Sequence, residues 1–320
     1  MPAIIDKIFM PEKKTWFPWL ILIILALVWG SSFILIKRGL ESFSPGEVGA
    51  LRVVITWLFL VPFAAKRLKG IPLNQWRVLL AVGMVGSLIP AFLFAAAQRG
   101  IDSSLAGILN SLTPLFTLIV SIVFFKSRPK WFNVTGVIIG LAGAIGLVSV
   151  SGTGNFTVNM GYAILIIIAA ICYAVNVNIV KAFLQGVDPV AITALSFFTV
   201  GPMAAIYLFG FTPFASGIEN NPESWKGLGY IAILAIAGTG LALMLFNRLI
   251  QMSSAVFASS VTYFIPVIAL LWGIADGEKF RPGFLLWVML VITGVLLVNT
   301  SSLTKNRIVR LIAGVVKFSH

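Results

Sequence analysis

Arg52 is the one ionisable side chain set well inside an apolar run of this 320-residue chain. Charge within a membrane is costly, so such a residue is a functional candidate. A guanidinium there would attract a carboxylate or phosphate. It lies roughly 7 Å into its run at the rise of an α-helix. Snorkelling to the interface, or pairing with nearby Glu47, would equally account for it. The apolar runs hold no Asp, Glu or His. Paired-acid, His-cluster and Ser–His catalysis therefore lack their residues, and the sequence predicts no enzyme, no metal site and no cofactor. One cysteine, Cys172, allows no intramolecular disulfide. The missing carboxylates argue against proton-coupled export of lipophilic cations and favour zwitterionic, anionic or neutral solutes.

Two prolines sit inside apolar runs with a polar residue four positions earlier: Asn110 before Pro114 and Thr262 before Pro266. Proline cannot donate to the carbonyl four residues back. Each site thus frees a carbonyl beside a polar side chain, which is tolerated where protein or a water-filled cavity satisfies it. The pair predicts either a solute-binding surface with Pro114 and Pro266 as hinges, or structural kinks with local hydrogen bonds. Asn176, Asn178 and Asn247 are also mid-run, and each could face a cavity or glue helices together. Trp29, Tyr173, Tyr263 and Trp272 are candidate aromatic walls. The substrate-binding candidates are Trp29, Ser32, Asn110, Thr113, Tyr173, Asn176, Asn178, Asn247, Thr262 and Tyr263, with Arg52 as a candidate anion contact.

The elements that would position these residues follow from composition. Hydrophobic residues make up 59% of the chain and charged residues 10%, against roughly 25% charged in soluble domains. The mean hydropathy is +1.03. Such a surface must face lipid. Trp16 to Ile36 runs 21 residues without a charge, which is a span and not a cleavable signal. Ten runs of membrane-crossing length appear: 17–36, 48–65, 78–98, 103–125, 131–150, 160–180, 190–211, 227–247, 253–275 and 283–303. Breakers such as Ser44-Pro45-Gly46, Asp188-Pro189 and Arg281-Pro282 fall between them. The expected fold is an all-α membrane protein of ten transmembrane helices.

The net charge of +13 could suggest nucleic acid, but the positives lie in short loops between apolar runs, which predicts no nucleic-acid partner. Under strict alternation, sixteen of the 23 Lys and Arg fall on the side of the N-terminus, while seven of the ten acids fall on the other. By the positive-inside rule both termini are cytoplasmic.

The chain repeats itself. Trp29 to Lys37 aligns with Tyr173 to Lys181 at an offset of 144, and Pro45 meets Pro189 at the same offset. Asn110 to Pro114 aligns with Thr262 to Pro266 at 152. The expected organisation is a cytoplasmic segment 1–16, a five-helix repeat 17–150, a second repeat 160–303 and a basic tail 304–320. Five is odd, so the second repeat is inverted. Inverted repeats are common in secondary transporters, which bind substrate near the midplane between the halves. Gly136, Gly140 and Gly143 share one helix face, which predicts close helix packing or a homodimer contact.

The Trp29-Gly30-Ser31-Ser32-Phe33 run with Lys37 at its end, Arg52, and Asn110-Ser111-Leu112-Thr113-Pro114, together with their echoes in the second half, resemble ten-helix EamA-type members of the drug/metabolite transporter superfamily. The family often carries Gly-Glu after the fourth and ninth spans. Gly277-Glu278 fits, whereas Lys126 stands at the first-half position. The resemblance implies export or exchange of small metabolites, often amino acids, through a central cavity lined by both halves. The expected partners are a small-molecule substrate and the lipid bilayer, with the chain a monomer or homodimer in a bacterial inner membrane. A nucleotide-sugar or sugar-phosphate carrier is the alternative substrate class, and a channel or receptor the alternative function.

Overall fold

Ser44 opens a helix with a complete capping box: its hydroxyl accepts from the Glu47 amide, and the Glu47 carboxylate accepts from the Ser44 amide at 2.8 Å. Pro45 supplies a preset φ at the first helical position. Asp188 caps the Pro189 helix from the Val190 amide at 3.1 Å, and Ser254 caps the next but one from the Phe257 amide at 3.1 Å. The breakers between apolar runs thus start helices by satisfying their first amides.

The computed structural model describes residues 16–68, 71–101, 103–151, 160–220, 224–268, 283 and 285–298. Among the described residues seven helices are long and apolar enough to cross a membrane: α1 (Phe17–Leu40), α2 (Pro45–Ala65), α3 (Leu73–Ala97), α4 (Ala106–Val123), α6 (Met160–Phe183), α7 (Pro189–Phe211) and α8 (Ser224–Met252). Three apolar helices are shorter: α5 (Trp131–Gly146), α9 (Ala255–Ile268) and α10 (Leu285–Val298). The expected spans 253–275 and 283–303 run into residues outside those described, as do the 1–15 segment, Trp272, Gly277-Glu278 and the basic tail.

Several helices are irregular where they matter. α1 turns at Ser31. α4 breaks between Asn110 and Thr113, just before Pro114. α9 tightens to a 3₁₀ turn at Ser260–Phe264, just before Pro266. α3 and α8 each contain a π-turn, at Met84–Leu88 and Ile236–Leu241. These turns start 152 residues apart, the spacing that aligns Asn110 with Thr262. Single π-turns in otherwise regular helices are frequent at functional sites.

The helices of the two halves interleave. α7 lies along α2, α6 along α3 and α4, and α8 along α1 and α2. The Arg67–Asp188 ion pair, at 2.6 Å, and Lys181 against the end of α8 gather one face of the bundle. Phe43 against Phe214, with ring centroids 5.8 Å apart, gathers the other. Large apolar side chains such as Ile34, Leu58, Ile138, Ile206 and Ile233 are more than half exposed around the outside, a surface suited to lipid. The glycine stripe packs within the chain. A Cβ at Gly136 would meet the Gly294 carbonyl oxygen at 2.7 Å, and one at Gly143 the Val291 amide nitrogen at 2.7 Å. α5 and α10 therefore approach at backbone distance, as small residues allow.

Candidate binding cavity

The two π-turns face a central cavity with an empty volume of about 870 Å3, its open mouth included. α1 contributes Trp29, Ser32 and Phe33, α2 contributes Arg52, and α3 contributes Gly86, Ser87 and Phe94. α4 adds Asn110 and Thr113, and α6 adds Tyr173 and Asn176. α8 supplies Gly238, Thr239 and Phe246, and α9 supplies Ser259 and Thr262. No Asp or Glu is among these lining residues.

The π-turn of α8 is tied to the first half. The Trp29 indole donates to the Gly238 carbonyl at 3.0 Å, and the ring meets Phe246 edge-on with centroids 5.0 Å apart. Arg52 Nε donates to Thr239 Oγ1 at 2.8 Å, and the Thr56 hydroxyl reaches the Ala235 carbonyl at 2.9 Å. A π-turn shifts the hydrogen-bond register by one residue and leaves carbonyls for such side chains. Ser32 Oγ lies 3.0 Å from where a Gly238 Cβ would be.

The equivalent place in α3 is filled from α6. A Cβ on Gly86 would sit 2.6 Å from Asn176 Cγ and 2.7 Å from its Oδ1. Glycine there makes room for the amide, whose Oδ1 is buried with no hydrogen-bond partner. Tyr173 stacks on Phe94 with centroids 5.9 Å apart.

Arg52 neither snorkels away nor pairs with Glu47, which is occupied by the Ser44 cap. It turns towards Thr239 and lines the cavity. The guanidinium also lies beside the Tyr173 hydroxyl.

The cavity therefore brings together Trp29, Ser32, Asn110, Thr113, Tyr173, Asn176, Thr262 and Arg52. Three candidates lie elsewhere. Asn178 is two residues past Asn176, about 200° around the helix. Its Nδ2 donates to the Thr117 carbonyl at 3.1 Å and the Ala174 carbonyl at 2.9 Å. Asn247 Nδ2 donates to Thr193 Oγ1 at 3.0 Å, joining α8 to α7. Tyr263 is fully buried, its hydroxyl donating to the Val137 carbonyl of α5 at 2.8 Å. The carbonyls released by the prolines are also taken up by protein. Thr113 Oγ1 donates to Asn110 O at 2.6 Å, and Ser111 Oγ lies 3.1 Å from Thr262 O, across the repeats. Gly86-Ser87 and Gly238-Thr239 were missed from sequence. Their signal was a small residue followed by a hydroxyl residue, recurring at the 152-residue spacing.

The EamA-like transporter family model matches the chain twice, over residues 16–149 and 160–300. The chain belongs to the EamA-like transporter family. It is an integral membrane protein and a membrane transporter of the drug/metabolite superfamily, as its sequence resemblance implied. Among EamA-like relatives, "Uncharacterized inner membrane transporter YedA" of Escherichia coli is 29% identical over 265 residues, covering 80% of this chain and 81% of that protein. A "Probable amino-acid metabolite efflux pump" of Escherichia coli is 27% identical over 141 residues, covering 44% of this chain and 46% of the relative. A solved crystal structure superposes with a TM-score of 0.68 at 18% identity, over 90% of this chain and 97% of the other. That likeness concerns the fold.

Proposed function

We propose that this protein is an exporter or exchanger of small polar metabolites, such as amino acids, working across the cytoplasmic membrane by alternating access. The observation that carries the reading is the cavity itself: both halves build it, and Arg52, the one cation lining it among the described residues, has no carboxylate among the lining residues. A half-buried guanidinium in a membrane span without a carboxylate beside it favours a solute that brings one. Arg52 takes the solute's carboxylate. The unpartnered Asn176 Oδ1, with Asn110 and Thr262, accepts from its ammonium, and Trp29 and Tyr173 flank the remainder. The name of the efflux-pump relative points to the same solute class.

Alternating access is supported by the repeat. The same family model covers each half, and five helices per half inverts the second against the first. The loop charges favour cytoplasmic termini. One chain encloses the cavity, so a monomer suffices. A sugar-phosphate or nucleotide-sugar solute would call for more than one cation in the cavity, and Arg52 is the one lining it among the described residues. A channel would need a charged ring or filter.

Counterflow in proteoliposomes tests this. Vesicles loaded with amino acids, nucleosides or sugar phosphates are assayed for uptake of each labelled solute, with and without a pH gradient. The expected result is saturable exchange restricted to amino acids, indifferent to the gradient, and lost in Asn110→Ala with Thr262→Ala. Exchange confined to sugar phosphates would replace the substrate class. Unsaturable flux of all solutes would indicate a channel.

A further inference from the structure

Lys181, near the C-terminal end of α6, reaches into the carbonyl end of α8. Its Nζ lies 3.0 Å from Ile250 O, 3.5 Å from Gln251 O and 2.6 Å from Ser253 O. Gln251 answers from α8, its Nε2 donating to Leu184 O at 3.3 Å and Val187 O at 2.5 Å. The last carbonyls of a helix lack partners within it and carry the negative end of its dipole, so a cation there is doubly favoured. Together these five contacts tie α6 to α8 and close one face of the bundle below the cavity.

The same parts exist on the opposite face, and there they are apart. At the 144-residue spacing that aligns Ser32 with Asn176, the counterpart of Lys181 is Lys37. At the 152-residue spacing that aligns the two π-turns, the counterpart of Gln251 is Arg99. Both are exposed, and neither side chain has a hydrogen-bond or ion-pair partner among the described residues. Next to Arg99, both amide atoms of Gln98 are buried and unpartnered. An unmet buried amide is costly and favours any rearrangement that supplies partners.

We propose that Lys37 and Arg99 form a second latch, open in this structure, that closes the opposite face in the alternate state. Lys37 then caps the carbonyl end of α3 at Gln98, Arg99 and Ile101, the counterparts of Ile250, Gln251 and Ser253. Arg99 donates to the carbonyls of Leu40 and Phe43, the counterparts of Leu184 and Val187. The two latches compete: the cavity opens to one face when the other is made. The latch rests on the alternating-access reading and adds to it the residues that hold each end state.

The test is a single reporter cysteine, Ala91→Cys on the cavity wall, in a Cys172→Ser background. Its labelling by a membrane-impermeant maleimide is compared in right-side-out and inverted vesicles. Lys37→Gln and Arg99→Ala should each raise the outside-to-inside labelling ratio roughly five-fold, the scale of one cation at a helix C-terminus. Arg99→Gln, which keeps a donor like that of Gln251, should return it close to the parent. Lys181→Gln should lower the ratio. Both outer-face residues are exposed, so their replacement leaves the packing intact. Outer-face variants that leave the ratio unchanged, or move it with Lys181→Gln, overturn the latch while alternating access stands. A reporter labelled from one side alone in the parent and in all variants overturns alternating access and the latch with it.

Discussion

The two π-turns occupy equivalent places in the two halves, yet they are held very differently. The α8 turn is pinned by Trp29, Arg52 and Thr56. At the 144-residue spacing these residues correspond to Tyr173, Ser196 and Val200. None of the three counterparts makes a side-chain hydrogen bond to the α3 turn among the described residues, and the Ser196 hydroxyl is buried without a partner. The α3 turn is instead packed against the Asn176 amide, whose oxygen is unsatisfied. Two copies of one family unit supply matching backbone positions, and side-chain differences then divide the labour. One turn anchors the halves together, and the other leaves polar groups beside it unmet.

The comparison can be broken at its strongest point by Arg52→Gln. This removes the pin to Thr239 and the cavity-lining positive charge together. A hydrogen bond to a charged group is worth about 1.5–3 kcal/mol, so solute affinity in counterflow should fall about 10- to 100-fold. Unchanged affinity would remove Arg52 from the site. Gly86→Ala comes next. Its Cβ would displace the Asn176 amide, at a cost of about 1–3 kcal/mol, and affinity should drop roughly ten-fold. Gly238→Ala meets Ser32 Oγ at 3.0 Å and the tip of Leu234 at 3.2 Å, so it should be tolerated better. Equal effects at both glycines would mean that the turns are alike after all.

Thr56→Val gives α2 the residue that α7 carries at the equivalent position. Losing the hydroxyl's bond to Ala235 O should destabilise the protein by about 1 kcal/mol, read as a lower unfolding midpoint in detergent, with solute affinity kept. The smallest effect concerns Lys126, which holds a left-handed φ of 50° after α4. Glycine takes that conformation without a Cβ penalty. Lys126→Gly should stabilise by about 0.5–1 kcal/mol, and a lower midpoint would contradict the strain.

The sequence carried the helix starts because Ser44-Pro45 and Asp188-Pro189 are local signals: a side-chain acceptor next to a preset φ. It also carried the repeat, since Trp29/Tyr173 and Asn110/Thr262 recur in order. Which polar residues line the cavity was only partly legible. Asn176 and Asn178 differ by two positions and look the same in composition, and only the neighbouring helices decide which one faces the cavity. Tyr263 reads as a wall until α5 offers it the Val137 carbonyl. The π-turns leave no compositional trace beyond a small residue followed by a hydroxyl. The carbonyls freed by Pro114 and Pro266 were foreseen, but the side chains that take them up, Thr113 nearby and Ser111 across the repeats, depend on tertiary packing.

The most direct test of the central claim, that solute passes through this cavity, uses Ala91→Cys again, now as a plug. Counterflow of the solute identified above is measured before and after modification with a bulky maleimide, and labelling is repeated with solute present. The account predicts that modification abolishes exchange and that solute protects the cysteine. Exchange continuing at its full rate through a fully modified protein would place the path elsewhere.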